Sequence, residues 1–282
     1  MTHIIYNKGM SMKHLIRLMC LTMAMTLCHA SSQAQCTFKN TAFNSGEYLT
    51  YNLYFNWQFV WVKVGNASMS TVQSNYHGTP AYRASLTTRT SQKADGFFVM
   101  RDTLLCYNSL ALEPLYYRKG AREGKRYTVD EAFYTYPNGH IQLKQHRQRH
   151  DGTHDWKTST PAECVYDMLS IFLRARSFNP EGWKKGHKVK IPVSDGTKIQ
   201  QAVLEYGGKT NVKADNGKKY RCLQLSYKEL EKDGKYKEIV RFYVTDDANH
   251  VPVRLDMFLK FGSAKAFLVS MKGVRHPVTS IK

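Results

Sequence analysis

The 282-residue chain contains no Gly-x-Ser-x-Gly, no glycine-rich phosphate loop and no His-Glu-x-x-His. The common signatures of a serine hydrolase, a nucleotide-binding enzyme and a zinc peptidase are therefore missing. No segment recurs at a period of about 20 to 50 residues, which excludes a propeller or a solenoid. No Pro- or Ser-rich linker divides the chain, and after the N-terminus only one long stretch reads as a helix. Acidic residues are scarce, 22 against 41 Lys and Arg. The longest apolar run, Leu18 to Leu27, has about ten residues, half of what an α-helix needs to cross a bilayer.

That short run explains itself as part of a secretory leader. Met12 to Arg17, MKHLIR, makes a basic n-region, Leu18 to Leu27 the apolar h-region, and Ser32-Gln33-Ala34 places small residues for cleavage before Gln35. Met12 is a second candidate start, so residues 1–11 read as an extension ahead of the leader. Neither Leu27 before Cys28 nor Gln35 before Cys36 suits lipid attachment. Residues 1–34 carry three cations (Lys8, Lys13, Arg17) and no acid, which leaves 38 basic and 22 acidic residues and a formal charge of +16. In an exported protein such a charge favours anionic lipid or glycan of the cell envelope over nucleic acid as a partner. The mature chain is not expected to span a membrane.

Four cysteines follow the leader: Cys36, Cys106, Cys164 and Cys222. Their wide, irregular spacing excludes a zinc ribbon and permits two disulfides in an oxidising compartment. A bond from Cys164 to Cys222 is one of the pairings this allows, and Cys36 can tie down the new N-terminus.

What is abundant is alternation and aromatic side chains, 18 Tyr and 13 Phe. In residues 46–64, GEYLTYNLYFNWQFVWVKV, Leu49, Tyr51, Leu53, Phe55, Trp57, Phe59 and Trp61 share one parity. Period two marks strand with one face in a core and one wet, and a run this long needs a bend near Asn56 to Gln58. Asn138-Gly139, Asp195-Gly196, Asn216-Gly217 and Asp233-Gly234 punctuate further alternating runs as hairpin turns. Residues 36–282 thus read as a single mainly β domain of about a dozen strands. A meander so long must curl into a half-open or partly closed antiparallel barrel.

The helix covers about 161–177. Thr160 and Glu163 have capping-box spacing, with Pro161 at the first helical position. Val165, Met168, Leu169 and Phe172 form an apolar stripe. A polar line of Glu163, Asp167, Ser170 and Arg174 is expected to pack against a strand carrying Arg254 and Asp256. Such a helix would cover the open side of the barrel.

Three segments, GEYLTYNLYFNW, YDMLSIFLRAR and FYVTDDANHVPVRLDMFLKFGSAKAFL, resemble a family of exported Gram-negative proteins known only as a domain of unknown function. The resemblance covers essentially all of residues 36–282. It implies export and a sheet-rich fold similar in shape to the open barrels of the lipoprotein carriers LolA and LolB. It carries no catalytic residues.

Three constellations are chemically suggestive. TDDANHVPVRLD gathers Asp246, Asp247, His250 and Asp256, whose carboxylates and imidazole can do acid–base work on a polysaccharide; the same residues are good turn chemistry. His146, His150 and His154 recur every fourth residue, and across a hairpin at Asp151-Gly152 His150 and His154 can face each other as a weak two-histidine metal site. Basic segments with Tyr116, Tyr117, Tyr127 and Trp183 interleaved supply Arg118, Arg122, Lys125, Arg126, Arg147 and Arg149. These six are the expected ligand-binding cations, joined through the sheet in one patch able to hold sugar faces and phosphates. No cofactor is expected. Binding without catalysis is the leading expectation, ahead of a polysaccharide-processing enzyme and of a structural role through protein partners.

Overall fold

A computed structural model describes residues 36–57, 60–259 and 262–282; the leader lies outside them. Fourteen strands form one antiparallel sheet. The first eight are β1 (Glu47–Trp57), β2 (Val60–Tyr76), β3 (Thr79–Thr90), β4 (Met100–Ser109), β5 (Pro114–Glu123), β6 (Arg126–Thr135), β7 (Gln142–Gln148) and β8 (His154–Ser159). Then come β9 (Lys188–Lys190), β12 (Ala202–Lys213), β13 (Lys219–Leu230), β14 (Tyr236–Thr245), β15 (Pro252–Leu259) and β16 (Gly262–Lys272), while β10 (Val193–Asp195) and β11 (Lys198–Gln200) make a separate ribbon. The spatial order runs from β8 back to β1, then β16 back to β12, and ends at β9. The chain is thus two meanders joined where β1 pairs with β16.

The long alternating run is two strands. β1 ends at Trp57, β2 begins at Val60, and Phe55 lies opposite Val62; the residues between fall outside those described. The β2–β3 turn is His77-Gly78, both at positive φ (47° and 87°), as a two-residue hairpin demands. Lys93-Ala94-Asp95 belongs to a one-turn helix, α1 (Gln92–Asp95), capped by Ser91.

The sheet curls, but its edge strands β8 and β9 do not pair, so the barrel stays open. At the seam lies the β10–β11 ribbon. The buried Gln145 of β7 holds it, its amide donating to Ser194 Oγ (2.9 Å), Gly196 O (3.0 Å) and Lys198 O (2.9 Å).

The second helix, α2 (Met168–Ala175), is packed on the inner face. Its Leu169 and Leu173 join a core with Leu49, Leu104, Tyr134, Leu143, Val253 and Leu268; its Ile171 joins another with Ile191, Val193, Leu204 and Leu225. The helix therefore bonds the two halves of the curl, each buried aliphatic contributing about 1.5 to 3 kcal/mol.

Its start corrects the sequence expectation. Asp167, not Thr160, is the N-cap, its Oδ1 accepting from the Leu169 and Ser170 N–H groups at 3.0 and 2.7 Å. Residues 160–166 are drawn out of helical geometry by two long-range ties. Cys164 is bonded to Cys36, 128 residues away, and Tyr166 bridges to Val193. Met168, placed in the first turn, is exposed rather than part of the inner stripe. The pairing of the polar line with β15 is also corrected. Arg254 chelates Asp256 within its own strand (both contacts 2.7 Å), and Arg174 donates to Cys36 O (2.9 Å) beneath the Phe38 ring. Asp167 is wholly buried, and burial lifts its carboxyl to about 6. Cys106 and Cys222 are buried free thiols, so one disulfide is present among the described residues, and it is not the Cys164–Cys222 bond considered from sequence.

Candidate binding face

Opposed residues of an antiparallel ladder share a face, and this sorts the expected site residues. Tyr117, Ala132 and Gln145 align across β5, β6 and β7 on the inner face. Tyr116, Phe133 and Lys144 align one residue along, on the outer face. Tyr107 of β4 lies opposite Tyr116, and Trp156 of β8 opposite His146.

The outer alignment builds a row of rings. Tyr76 contacts Tyr107 at 5.0 Å and stacks on Tyr116 at 5.8 Å; Tyr116 meets Phe133 at 5.1 Å, and Phe133 meets Trp156 at 6.4 Å. Trp156 ends the row 54% exposed, with Lys144 Nζ 4.7 Å from its ring centroid. Rings this close attract one another through offset and edge contacts; Tyr76, Tyr107 and Tyr116 make a three-ring cluster at one end, Tyr107 and Tyr116 being 6.5 Å apart, and each ring sits on a paired strand.

Beside the rings runs a chain of hydrogen bonds. The Tyr116 hydroxyl donates to Glu131 Oε1 (2.5 Å), Glu131 Oε2 meets His146 Nδ1 (2.8 Å), and His146 Nε2 meets His154 Nδ1 (2.8 Å). Burial, then this bond to Glu131, pushes the Tyr116 phenol well above its ordinary range. The register corrects the expected pairing of His150 with His154: it is His146 that meets His154, while His150 stays exposed in the turn. The two rings spend their facing nitrogens on each other. Among the described residues no three His, Cys, Asp or Glu side chains are grouped to hold a metal.

The six expected cations are divided by the sheet. Arg118 and Arg122 are on the outer face, opposite Glu131 and Tyr127; Arg118 accepts company from the Tyr127 hydroxyl, to which it donates at 3.2 Å. Lys125 and Arg126 are exposed at the β5–β6 turn. Arg147 is on the inner face, chelating Asp130 (2.6 and 2.9 Å) and reaching Asp195 on the ribbon (3.3 Å). Arg149 is paired with Asp155. Four of the six therefore remain on or near the outer face.

The β14–β15 constellation is drawn into structural roles. Asp246 is paired with Arg221 (2.9 Å) and Lys209 (3.0 Å). Asp247 accepts from the Thr245 hydroxyl and the Asn249 N–H. His250, at φ 43°, has its Nδ1 on the Arg176 carbonyl, and burial lowers its pKa. Asp256 is in mid-strand with Arg254.

Sequence reading singled out Tyr116, Tyr117, Tyr127 and Trp183, of which Tyr117 is buried on the inner face and Trp183 packs against Tyr206, but not Tyr76, Tyr107, Phe133 or Trp156 as members of a binding face. Strand register aligns Tyr107, Tyr116 and Phe133, and Tyr76 and Trp156 reach them from neighbouring positions, so the signal lay in the turn positions that set the register, not in any one segment. Two troughs also mark the surface. One, about 420 Å³, lies over Tyr48, Thr50, Asn52, Ser68 and Arg89; the other, about 780 Å³, lies over Phe38, Lys39, Tyr82, Leu110 and Arg275. Neither is an enclosed apolar chamber.

A family model described as "Protein of unknown function (DUF3108)" matches residues 50–269. No curated protein matches the chain. Among solved structures, it is similar to the β-barrel-like protein of the domain of unknown function DUF1849 from Brucella abortus. That likeness has 11% identity and a TM-score of 0.52, and covers 83% of this chain and 100% of that one. A Bacteroides fragilis protein with a YmcC-like fold gives 10% identity and a TM-score of 0.35, over 84% of this chain and 100% of its own. At such identities the likeness to the first concerns the fold alone.

Proposed function

The chain belongs to that family, and we propose that it is an exported, non-enzymatic binding protein of the cell envelope that takes an acidic glycan along its outer ring row. The row from Tyr76 to Trp156 carries the reading. The C–H faces of pyranose rings pack on aromatic faces, and the spacing between successive rings suits successive sugar units. Lys144, Arg118 and Arg122 flank the row to meet carboxylate, sulfate or phosphate substituents. Export rests on the leader read from the sequence, and the Cys36–Cys164 disulfide is at home in an oxidising compartment. The core aliphatics fill the inside of the curl, which favours a ligand lying on the sheet over a lipid enclosed by it.

The test is calorimetric titration of the mature protein with polygalacturonate oligomers and, separately, neutral dextran oligomers. Saturable binding of the acidic series is expected, with affinity reduced at least tenfold in Trp156→Ala, about what 1.4 kcal/mol of lost contact produces. Equal binding of both series, or affinity unmoved by Trp156→Ala, sinks the proposal.

A further inference from the structure

The opposite edge of the molecule breaks the usual rule for exposed residues. β1 and β2 end in one hairpin and β15 and β16 in another, and because β1 pairs with β16 the two tips stand side by side, Phe55 opposite both Val62 and Ala264. Val60, Trp61 and Val62 are consecutive in β2 and all exposed, Val60 to 62%. Successive strand residues point to opposite faces, so both faces of this ribbon are apolar and open. Phe258 and Leu259, the latter 51% exposed, end β15 beside it. In the β3–β4 link at the same edge, Phe97 is 87% exposed and Phe98 51%. Residues 55–65 and 257–267 contain no acid. Lys63 is exposed within the first tip, and Lys265 Nζ stands 3.8 Å from the Trp61 ring centroid.

We propose that this edge docks the protein on an anionic lipid bilayer, with Val60, Trp61, Val62, Phe258 and Leu259 entering the interfacial region. A ribbon apolar on both faces cannot be covered by one flat partner surface, but a fluid medium surrounds it. Trp is at home at the depth where headgroups meet acyl chains. Lysines beside apolar residues bury their stems and keep their charge among lipid phosphates, and basic residues near the surface are drawn to anionic lipid. The inference uses none of the ring-row residues, so it stands or falls apart from the glycan reading.

The test is co-sedimentation of the mature protein with vesicles of phosphatidylglycerol and phosphatidylethanolamine, and with vesicles of phosphatidylcholine alone. Binding to the anionic vesicles that weakens with salt is expected. Val60→Ser with Leu259→Ser is expected to weaken it at least tenfold, as is Lys63→Glu with Lys265→Glu, while Trp156→Ala leaves it unchanged. Val60, Leu259, Lys63 and Trp156 are exposed and Lys265 is half-buried, and an unchanged circular dichroism melt excludes misfolding. Failure to sediment with anionic vesicles, or binding indifferent to both double variants, overturns the inference. So does a dimer in light scattering that the serine variant dissolves, which would make a second copy the occupant.

Discussion

The two ends of the sheet treat polar and apolar groups in opposite ways. At the end where β1 begins, charge is hidden: Glu47 and Arg176 are 1% and 2% exposed and face each other in a two-pronged pair. Arg176 also donates to Asn249 O at 3.0 Å, Asn249 donates to His276 O, and Arg275 donates to Asn40 O. The disulfide and the Arg174–Cys36 bond close the same region. At the end where β1 finishes, aliphatic and aromatic side chains stand in the open. A buried ion pair is kept only where its partners are fixed, so the first end is a latch that orders the N-terminal arm, α2 and the last strands together. The second end orders nothing by being exposed, and contiguous apolar exposure of this kind is the mark of a contact surface, in line with the docking proposed above.

Breaking the latch is expected to give the largest effect. Arg176→Met strands Glu47 without a counter-charge in the interior and should cost about 3 to 5 kcal/mol in urea unfolding. Adding Glu47→Leu should recover most of it, because the cost lies in the lone charge rather than in the missing contact. If the double variant is no more stable than the single, the pair is not what holds this end. Cys36→Ser is next: the bond closes a long loop, and its removal should cost about 2 to 5 kcal/mol, read as the difference in urea unfolding between the variant and the oxidised parent protein.

Between the ends, two carboxyls sharpen the comparison through pH. Burial raises both Asp167 and Asp102 from an ordinary 3.8 to about 6, and Asp102 Oδ1 has no hydrogen-bond partner. A raised acid holds its proton more tightly folded than unfolded. Its contribution is therefore fully present below pH 4, declines as pH rises through the folded value, and is flat above it. For Asp167, about two pH units correspond to about 3 kcal/mol. Asp167→Asn keeps an oxygen for the helix cap and removes the charge, so it should flatten the decline between pH 4 and 6 and raise stability at pH 7. Melting temperatures at pH 4, 5, 6 and 7 test it, and an unaltered slope in the variant would assign the decline elsewhere.

How far the sequence foretold this structure depends on how local each cause is. The alternation through Leu49, Tyr51 and Leu53 survives in β1 because period two needs only the strand itself, and Asp233-Gly234 turns where it should, with Gly234 at φ 80°. The start of α2 was misread because Thr160 and Glu163 carry a sound local cap, yet Cys36 and Val193 capture the intervening residues from far along the chain. The same holds for the site. Arg118 and Arg147 look alike in sequence, but one lies outside beside Tyr127 and the other inside under the ribbon at Asp195. That difference rests on the β6–β7 register and on where a distant hairpin lands, and neither is written near either arginine.

The smallest expected effect on stability separates the two ends most clearly. Val60→Ser with Leu259→Ser removes two aliphatic side chains that are already in solvent, so unfolding free energy should change by about 0.5 kcal/mol or less. Leu49→Ala, in the same β1–β2–β16 neighbourhood but fully buried at the latch end, should cost about 2 to 5 kcal/mol. The pair is measured by urea unfolding of the two variants without lipid. A large loss for the tip variant would mean that the tips brace the fold, and their exposure would then need no partner to explain it.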